Sequence, residues 1–352
     1  MTHRRIPRHR TAIASAGALA LAVTATLTLA VDANAAPDTL SASEATTLAS
    51  QLTKGTAGSY YDAKARKLVV NVLDETGAMA ARAKGVETRL VKHSLAELNS
   101  ARQTLKDRAT IPGTSWSLDP KSNKVVVTAD RTVKGAKLHQ LTAVVKSLGD
   151  KAEIRHSRGE FKKLSANGDA IWDNDGQCSL GFNVVKDGHP YFLTAGHCGK
   201  AGTTWSDEKG GSPIGTTEDS QYPGNDYAIV KYTGNTPHPS EVNLYNGSYQ
   251  KITKAGEATV GQKVFRSGST TQVHDGKVTG LDETVNYVDG DTVEGLIKTT
   301  VCAEPGDSGG ALYDRETALG LTSGGSGDCS SGGETFFQPV PEALKAYGAQ
   351  IG

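Results

Sequence analysis

The chain changes character at residue 165, and that break constrains its fold more than any single motif. Of the 40 glycines only nine precede it, and all four cysteines, Cys178, Cys198, Cys302 and Cys329, follow it. Charge divides at the same place. Residues 37–164 hold 22 Lys+Arg against 13 Asp+Glu, whereas 165–352 hold 12 against 24, so zero net charge conceals +9 beside −12. The neutral total gives no bulk attraction for nucleic acid. Two segments of opposite sign are instead expected to attract each other, most strongly at low salt.

Residues 37–164 read as α+β. "KLVVNVLD" and "NKVVVTAD" have the composition of strands, and "SLAELNSARQTLKDRA" and "KGAKLHQLTAVVKSLG" have helical periodicity. Similar strand–helix units occur twice. No nucleophile or metal cluster stands out in this segment, and His93, His139 and His156 read as surface residues. After Leu164 the runs "GFNVV", "YFLTA", "YAIVKY", "VFRSG" and "GKVTGL" alternate with Gly, Asn, Asp and Ser turns. Short β-branched runs at this spacing predict an all-β sandwich or barrel. One helical pattern, "VPEALKAYGAQ", closes the chain.

The first 35 residues have a basic start, an apolar run and the small-residue end "ANA". That is the layout of a secretory signal, with cleavage expected after Ala35. No second apolar run of about 20 residues follows, so stable membrane association is not expected. The adjacent Arg4 and Arg5 leave the general and twin-Arg export routes both open. A secreted, extracellular chain meets an oxidising compartment, so its four cysteines are expected in disulfides. Three pairings exist. The local pairs Cys178–Cys198 and Cys302–Cys329 are favoured, each restricting the unfolded chain by about 3 kcal/mol. No short Cys-x-x-Cys spacing supports zinc, and no nucleotide loop appears, so no cofactor or metal is expected.

The stretch "VCAEPGDSGGAL", residues 301–312, sets one hydroxyl, Ser308, in bare backbone. A serine hydroxyl is a poor nucleophile until a base takes its proton, and the base needs an orienting group. "TAGHC" offers His197 and "GNDYAIV" offers Asp226, in the order His, Asp, Ser. Two amides, those of Gly306 and Ser308, are expected to stabilise the negative oxygen of an acyl-transfer intermediate. Gly309 and Gly310 allow close packing behind the serine. The constellation predicts a serine endopeptidase. An esterase or acyl transferase using the same residues, or an inactive β-barrel binding module, are the alternatives.

Residues 165–352 resemble the chymotrypsin-fold serine proteases, and among them the secreted bacterial streptogrisins. The resemblance runs through "CSLGFNV", "YFLTAGHC", "NDYAIVKY", "RSGSTT", "VCAEPGDSGGAL", "LTSGGSGDCSSGG" and "FFQPVPEAL". The preceding region is similar to the family's pro-segment through "AGSYYDA", "IPGTSW" and "SNKVVVTAD". It implies an α+β pro-domain over residues 36–164, then two antiparallel β-barrels, 165–256 and 257–352, with the catalytic cleft between them. It raises a homodimer as a further expectation.

The family relation also supplies finer expectations. Asp307 lacks the new amino terminus that pairs with it in animal relatives, so an internal ion pair with Arg266 is expected. Ala303, Glu304, Pro305, Ser323, Gly324 and Gly325 should line the pocket for the residue before the scissile bond, with Thr335 near its base. Glutamate-specific relatives carry histidine where this chain has Thr322, and no acid stands at the pocket base. Large apolar residues (Phe, Tyr, Leu, Met) are therefore the expected preference. Cleavage between Leu164 and Ser165 would release the mature chain, and the pro-segment is expected to template folding and then plug the cleft.

Overall fold

In a computed structural model, residues 56–83, 86–163, 170–173, 176–234 and 237–352 are described. The export signal over 1–35 and the processing junction Leu164–Ser165 lie outside the described residues.

The leading segment builds one topology twice. Thr56–Asp62 and Lys67–Val72 form an antiparallel pair; the helix Glu75–Arg82 then returns the chain to Glu87–Leu90, parallel to Lys67–Val72. Thr114–Asp119, Lys124–Ala129, the helix Gly135–Ser147 and Ala152–His156 repeat that order and those pairings. A parallel neighbour cannot be reached by a tight turn, so each unit needs its crossover helix. Between the units lies the helix Leu95–Arg108. Ser94 accepts from the Glu97 amide at its start and Glu97 reaches back to the Ser94 amide, so two otherwise unpaired donors are satisfied. Its Leu98 and Leu105 join Trp116, Val127 and Leu141 in a core separate from that of the trailing segment. The helix Glu75–Arg82 carried no clear sequence signal. His93, expected at the surface, is buried: its ring lies 3.4 Å from Asp150, and the Asn123 side chain bridges its backbone.

The trailing segment is β except for one C-terminal helix and one short 3-10 turn among the described residues. Six strands close on themselves: Lys263–Gly268, Ala311–Asp314, Thr317–Asp328, Gly332–Pro339, Thr292–Thr299 and Gln272–Asn286, which pairs back with Lys263–Gly268. Seven earlier strands and the last strand of the chain form an eight-stranded sheet whose pairing is an open path among the described residues. The two expected barrels are thus one closed ring and one open order of eight. The C-terminal helix Val340–Tyr347 starts with Pro341 in its first turn and stops at Gly348, whose φ of 63° suits glycine. The last strand, Gln350–Ile351, then pairs with Phe182–Lys186 in the earlier sheet. The chain thereby crosses the boundary drawn at residue 256.

The leading segment joins the ring by strand addition at two places. Thr114–Asp119 pairs antiparallel with the far half of Gln272–Asn286, extending the ring's sheet outward. Lys162–Lys163 pairs with Gly325 and Gly324. Side chains follow the charge asymmetry: Lys106 meets Glu294 at 2.6 Å, and Arg102 bonds the carboxylate and the carbonyl of Asp282.

Two buried charge sites have opposite characters. Arg266 and Asp307 are both fully buried, with Arg266 Nη1 3.1 Å from Asp307 Oδ1. The Thr270, Thr271 and Glu304 amides also donate to that carboxylate. Glu283 is buried against Ser115 and Ser117 of the leading segment, 3.8 Å from Lys298, and neither of its oxygens has an aligned hydrogen-bond partner. Desolvation pushes the Glu283 carboxyl above its usual range, Lys298 opposing.

Both sites can be tested in a Ser308→Ala chain, in which the leading segment is expected to stay attached. Arg266→Ala strands a buried carboxylate and should cost about 3–5 kcal/mol in chemical denaturation; an unchanged midpoint would refute the structural role of the pair. Because the folded-state value of Glu283 is raised, its burial is tolerated at low pH, and stability is lost as pH rises from the ordinary carboxylate value through the raised one. Glu283→Gln should flatten that part of the pH–stability curve and raise the melting temperature on its alkaline side.

Candidate active site

The residues picked out by the three motifs meet where the two strand systems face each other. His197 lies in a single 3-10 turn, Gly196–Cys198, just after the strand His189–Thr194. Asp226 immediately precedes the strand Tyr227–Tyr232. Ser308 sits in the loop before Ala311–Asp314. His197 Nε2 is 2.8 Å from Ser308 Oγ, and His197 Nδ1 is 2.8 Å from Asp226 Oδ2. The His197 amide also donates to Asp226 Oδ1 at 2.9 Å. This combination allows the ring one useful tautomer: Nδ1 carries hydrogen toward the carboxylate and Nε2 offers a lone pair to the serine.

Asp226 is fully buried, so its charge must be met by donors. Besides the two from His197, Ser323 Oγ donates to Asp226 Oδ2 at 2.5 Å. The Asp226 amide donates to Gln338 Oε1 at 2.8 Å, and Gln338 Nε2 donates to Glu342. The sequence marks Ser323 only for substrate contact and gives no sign of Gln338. Both lie on ring strands far from Asp226 in sequence, so only the fold brings them to it.

The serine loop is held from behind. The hydroxyls of Ser179 and Ser269 both donate to the Gly306 carbonyl at 2.7 Å, fixing the peptide that precedes Asp307. Gly306 has φ 102°, which a side chain would strain. A Cβ on Gly309 would come within 2.1 Å of Thr194 Oγ1, so the loop can press against the end of the His189–Thr194 strand only with glycine there. The disulfides Cys178–Cys198 and Cys302–Cys329 tie the flanks of the histidine turn and the serine loop.

The expected pocket residues also converge. Thr335 is buried, paired with Gly325 in the ring, and donates through Oγ1 to the Val301 carbonyl. Ala303 is buried and Pro305 exposed. Glu304 Oε1 accepts from the Cys329 amide at 3.0 Å, which turns that carboxylate toward the disulfide loop. The Lys162–Lys163 strand of the leading segment runs along Gly324 and Gly325. Just before it, Phe161 is wholly buried, edge-on to Phe336 with ring centroids 5.3 Å apart, among Val285, Tyr287, Val293 and Leu296. The single apolar residue of "FKK" was the only sequence signal for that anchor. Tyr222 packs against the His197 ring.

Comparison with known proteins agrees with this geometry. Residues 177–346 match the trypsin family, 93–149 the alpha-lytic protease prodomain, and 29–91 the alpha-lytic protease pro N-terminal family. The chain is 63% identical to streptogrisin-D of Streptomyces griseus, across 100% of this chain and 92% of that protein. It is 46% identical to streptogrisin-A of the same organism, over 75% of this chain and 86% of the other. Among solved structures, a glutamic-acid-specific serine protease described as using a histidine triad in substrate binding superposes with a TM-score of 0.50 at 46% identity, covering 53% of this chain and all of that one. The chain therefore belongs to the streptogrisin family of chymotrypsin-fold serine proteases, hydrolases made as zymogens behind an alpha-lytic-type prodomain.

Proposed function

We propose that the mature chain is a secreted endopeptidase that cleaves peptide bonds after large apolar residues through an acyl-enzyme. The observation that carries this reading is the antiparallel pairing of Lys162–Lys163 with Gly325 and Gly324 beside Ser308. Strand addition is how an extended peptide is held by its backbone while side-chain pockets choose its sequence. With Lys163 opposite Gly324, Ser323 is the next station on the strand, the one that the residue before a scissile bond would take. By sequence the next residue of the leading segment is Leu164.

In the reaction, His197 takes the Ser308 proton as Oγ attacks the substrate carbonyl, and Asp226 stabilises the imidazolium that forms. The amides of Gly306 and Ser308 receive the oxyanion. His197 then passes its proton to the leaving amine, and the same groups activate water to release the acid. Gly324 and Gly325 let a backbone strand lie close against theirs, where a Cβ on Gly324 would meet the Lys162 carbonyl at 2.6 Å. Thr335 contributes no charge, the Glu304 carboxylate is engaged by an amide, and Thr322 stands where glutamate-specific relatives carry histidine. An apolar preference accounts for these features better than a basic or acidic one.

The leading segment is read as the template and first inhibitor of the enzyme. Its tail runs along the substrate track while its body extends the ring's sheet. Autolysis after Leu164 would then free a chain beginning at Ser165.

Ser308→Ala should lower turnover by about 10⁶-fold, as removal of the serine does in another triad protease, and should leave the precursor uncut. Digestion of a diverse peptide library by the mature chain should give products ending in Phe, Tyr, Leu and Met, and its first residue should be Ser165. Products ending mainly in Lys, Arg or Glu would overturn the specificity. Activity surviving in the Ser308→Ala chain would overturn the chemistry.

A further inference from the structure

We propose that Tyr287 is a positioning residue for hydrolysis: acting through Ser323, it sets the charge that Asp226 presents to His197. The inference rests on the hydrolytic reading of the His197–Ser308 pair. Tyr287 follows the end of the strand Gln272–Asn286, is fully buried, and has its hydroxyl 2.8 Å from Ser323 Oγ. Ser323 in turn lies 2.5 Å from Asp226 Oδ2, the same oxygen that faces His197 Nδ1 at 2.8 Å.

Proton counting fixes the direction of this chain. An ionised carboxylate only accepts, and a serine hydroxyl has one hydrogen to give. Ser323 spends that hydrogen on Asp226, so Tyr287 must be the donor to Ser323. Each donor polarises the next, which strengthens the bond that Ser323 makes to the carboxylate. Burial, and then the nearby Asp226 charge, push the Tyr287 phenol well above its usual value, so the donor keeps its hydrogen. The ring packs against Val285, Val293, Leu296 and Phe336 of the trailing segment, and in the precursor also against Phe161 of the leading one. It also passes over the substrate strand: a Cβ on Gly324 would come within 2.6 Å of a Tyr287 ring carbon and 2.7 Å of its hydroxyl. Glycine at 324 is what lets the phenol reach Ser323.

The sign of the effect follows. Two donors share Asp226 Oδ2. Weakening one leaves more negative charge facing the imidazole, which favours the imidazolium. Free base then appears only at higher pH, and the acid limb of the rate profile moves upward.

The test measures kcat and KM against pH for the mature enzyme on a peptide substrate, with Ser308→Ala as the control for the chemistry itself. Tyr287→Phe should move the acid limb up by about half a pH unit, a fraction of one hydrogen bond's worth, with KM little changed. In a Ser323→Ala background, Tyr287→Phe should move the limb no further. Replacing Tyr287 alone by 3-fluorotyrosine, a stronger donor of similar shape, should move the limb the other way. A Tyr287→Phe profile that superimposes on the parent overturns the proposal, as does an equal shift in the Ser323→Ala background. If Tyr287→Phe does not fold, the fluorotyrosine enzyme decides, and an unmoved limb refutes the relay. Activity that survives Ser308→Ala would instead sink the hydrolytic reading.

Discussion

A carboxylate sealed from water has to be surrounded by donors, and in this molecule Asp226 imposes that requirement on both strand systems at once. It sits at the start of a strand of the eight-stranded sheet. Its donors His197 and Ser323 come from a turn beside that sheet and from a strand of the closed ring, and its own amide donates to Gln338 on a second ring strand. An isolated buried charge costs several kcal/mol, so the two halves cannot slide past each other without exposing the carboxylate or leaving it unmatched. The interaction that orients the imidazole is therefore also one that fixes the cleft.

The bond between leading and trailing segments is of another kind. It is made largely of backbone, through strand addition at Gln272–Asn286 and at Gly324–Gly325. Exposed ion pairs such as Lys106–Glu294 add orientation more than energy. Glu283 is the dissonant member. It is buried by the leading segment beside Lys298 yet lacks aligned donors, whereas Asp307 has them from three amides, a threonine hydroxyl and Arg266. Asp307 belongs wholly to the mature part of the chain and its site is complete within it. Glu283 instead packs against Ser115 and Ser117 of the leading segment as well as Lys298 of its own.

What the sequence disclosed and what it withheld divide along the range of the interactions. His197, Asp226 and Ser308 stood out because each lies in a short stretch of unusual composition. The helices Leu95–Arg108 and Gly135–Ser147 were legible from their periodicity, which is local. The class of the trailing segment followed from regular turns and short β-branched runs. The burial of His93 depends on Asn123 and Asp150, so no window around residue 93 could reveal it. The return of Gln350–Ile351 to the first sheet was hidden for the same reason, since two residues carry no period. Tyr287 and Ser323 are ordinary residues in their own neighbourhoods; a contact across 36 positions gives them meaning. Family resemblance supplied the Arg266–Asp307 pair, which charge patterning alone does not single out.

On the proposed reading of the leading segment as an inhibitor, its two attachments to the ring also bear on how inhibition works. The tail that runs along Gly324 and Gly325 is only two paired residues long, too short to hold the cleft by itself. It is joined through the body of the leading segment to the Thr114–Asp119 pairing and to the buried Phe161 ring. Tethering turns its binding into an intramolecular event, with an effective concentration in the millimolar range for a short flexible link. Cutting the peptide bond after the tail changes none of those attachments. On the proposed reading, autolysis therefore produces an inhibited complex, and free enzyme appears only when the body of the leading segment detaches or is destroyed. Its main apolar core is a cluster distinct from those of the trailing segment, which it enters only at Phe161 and Tyr60 among the described residues.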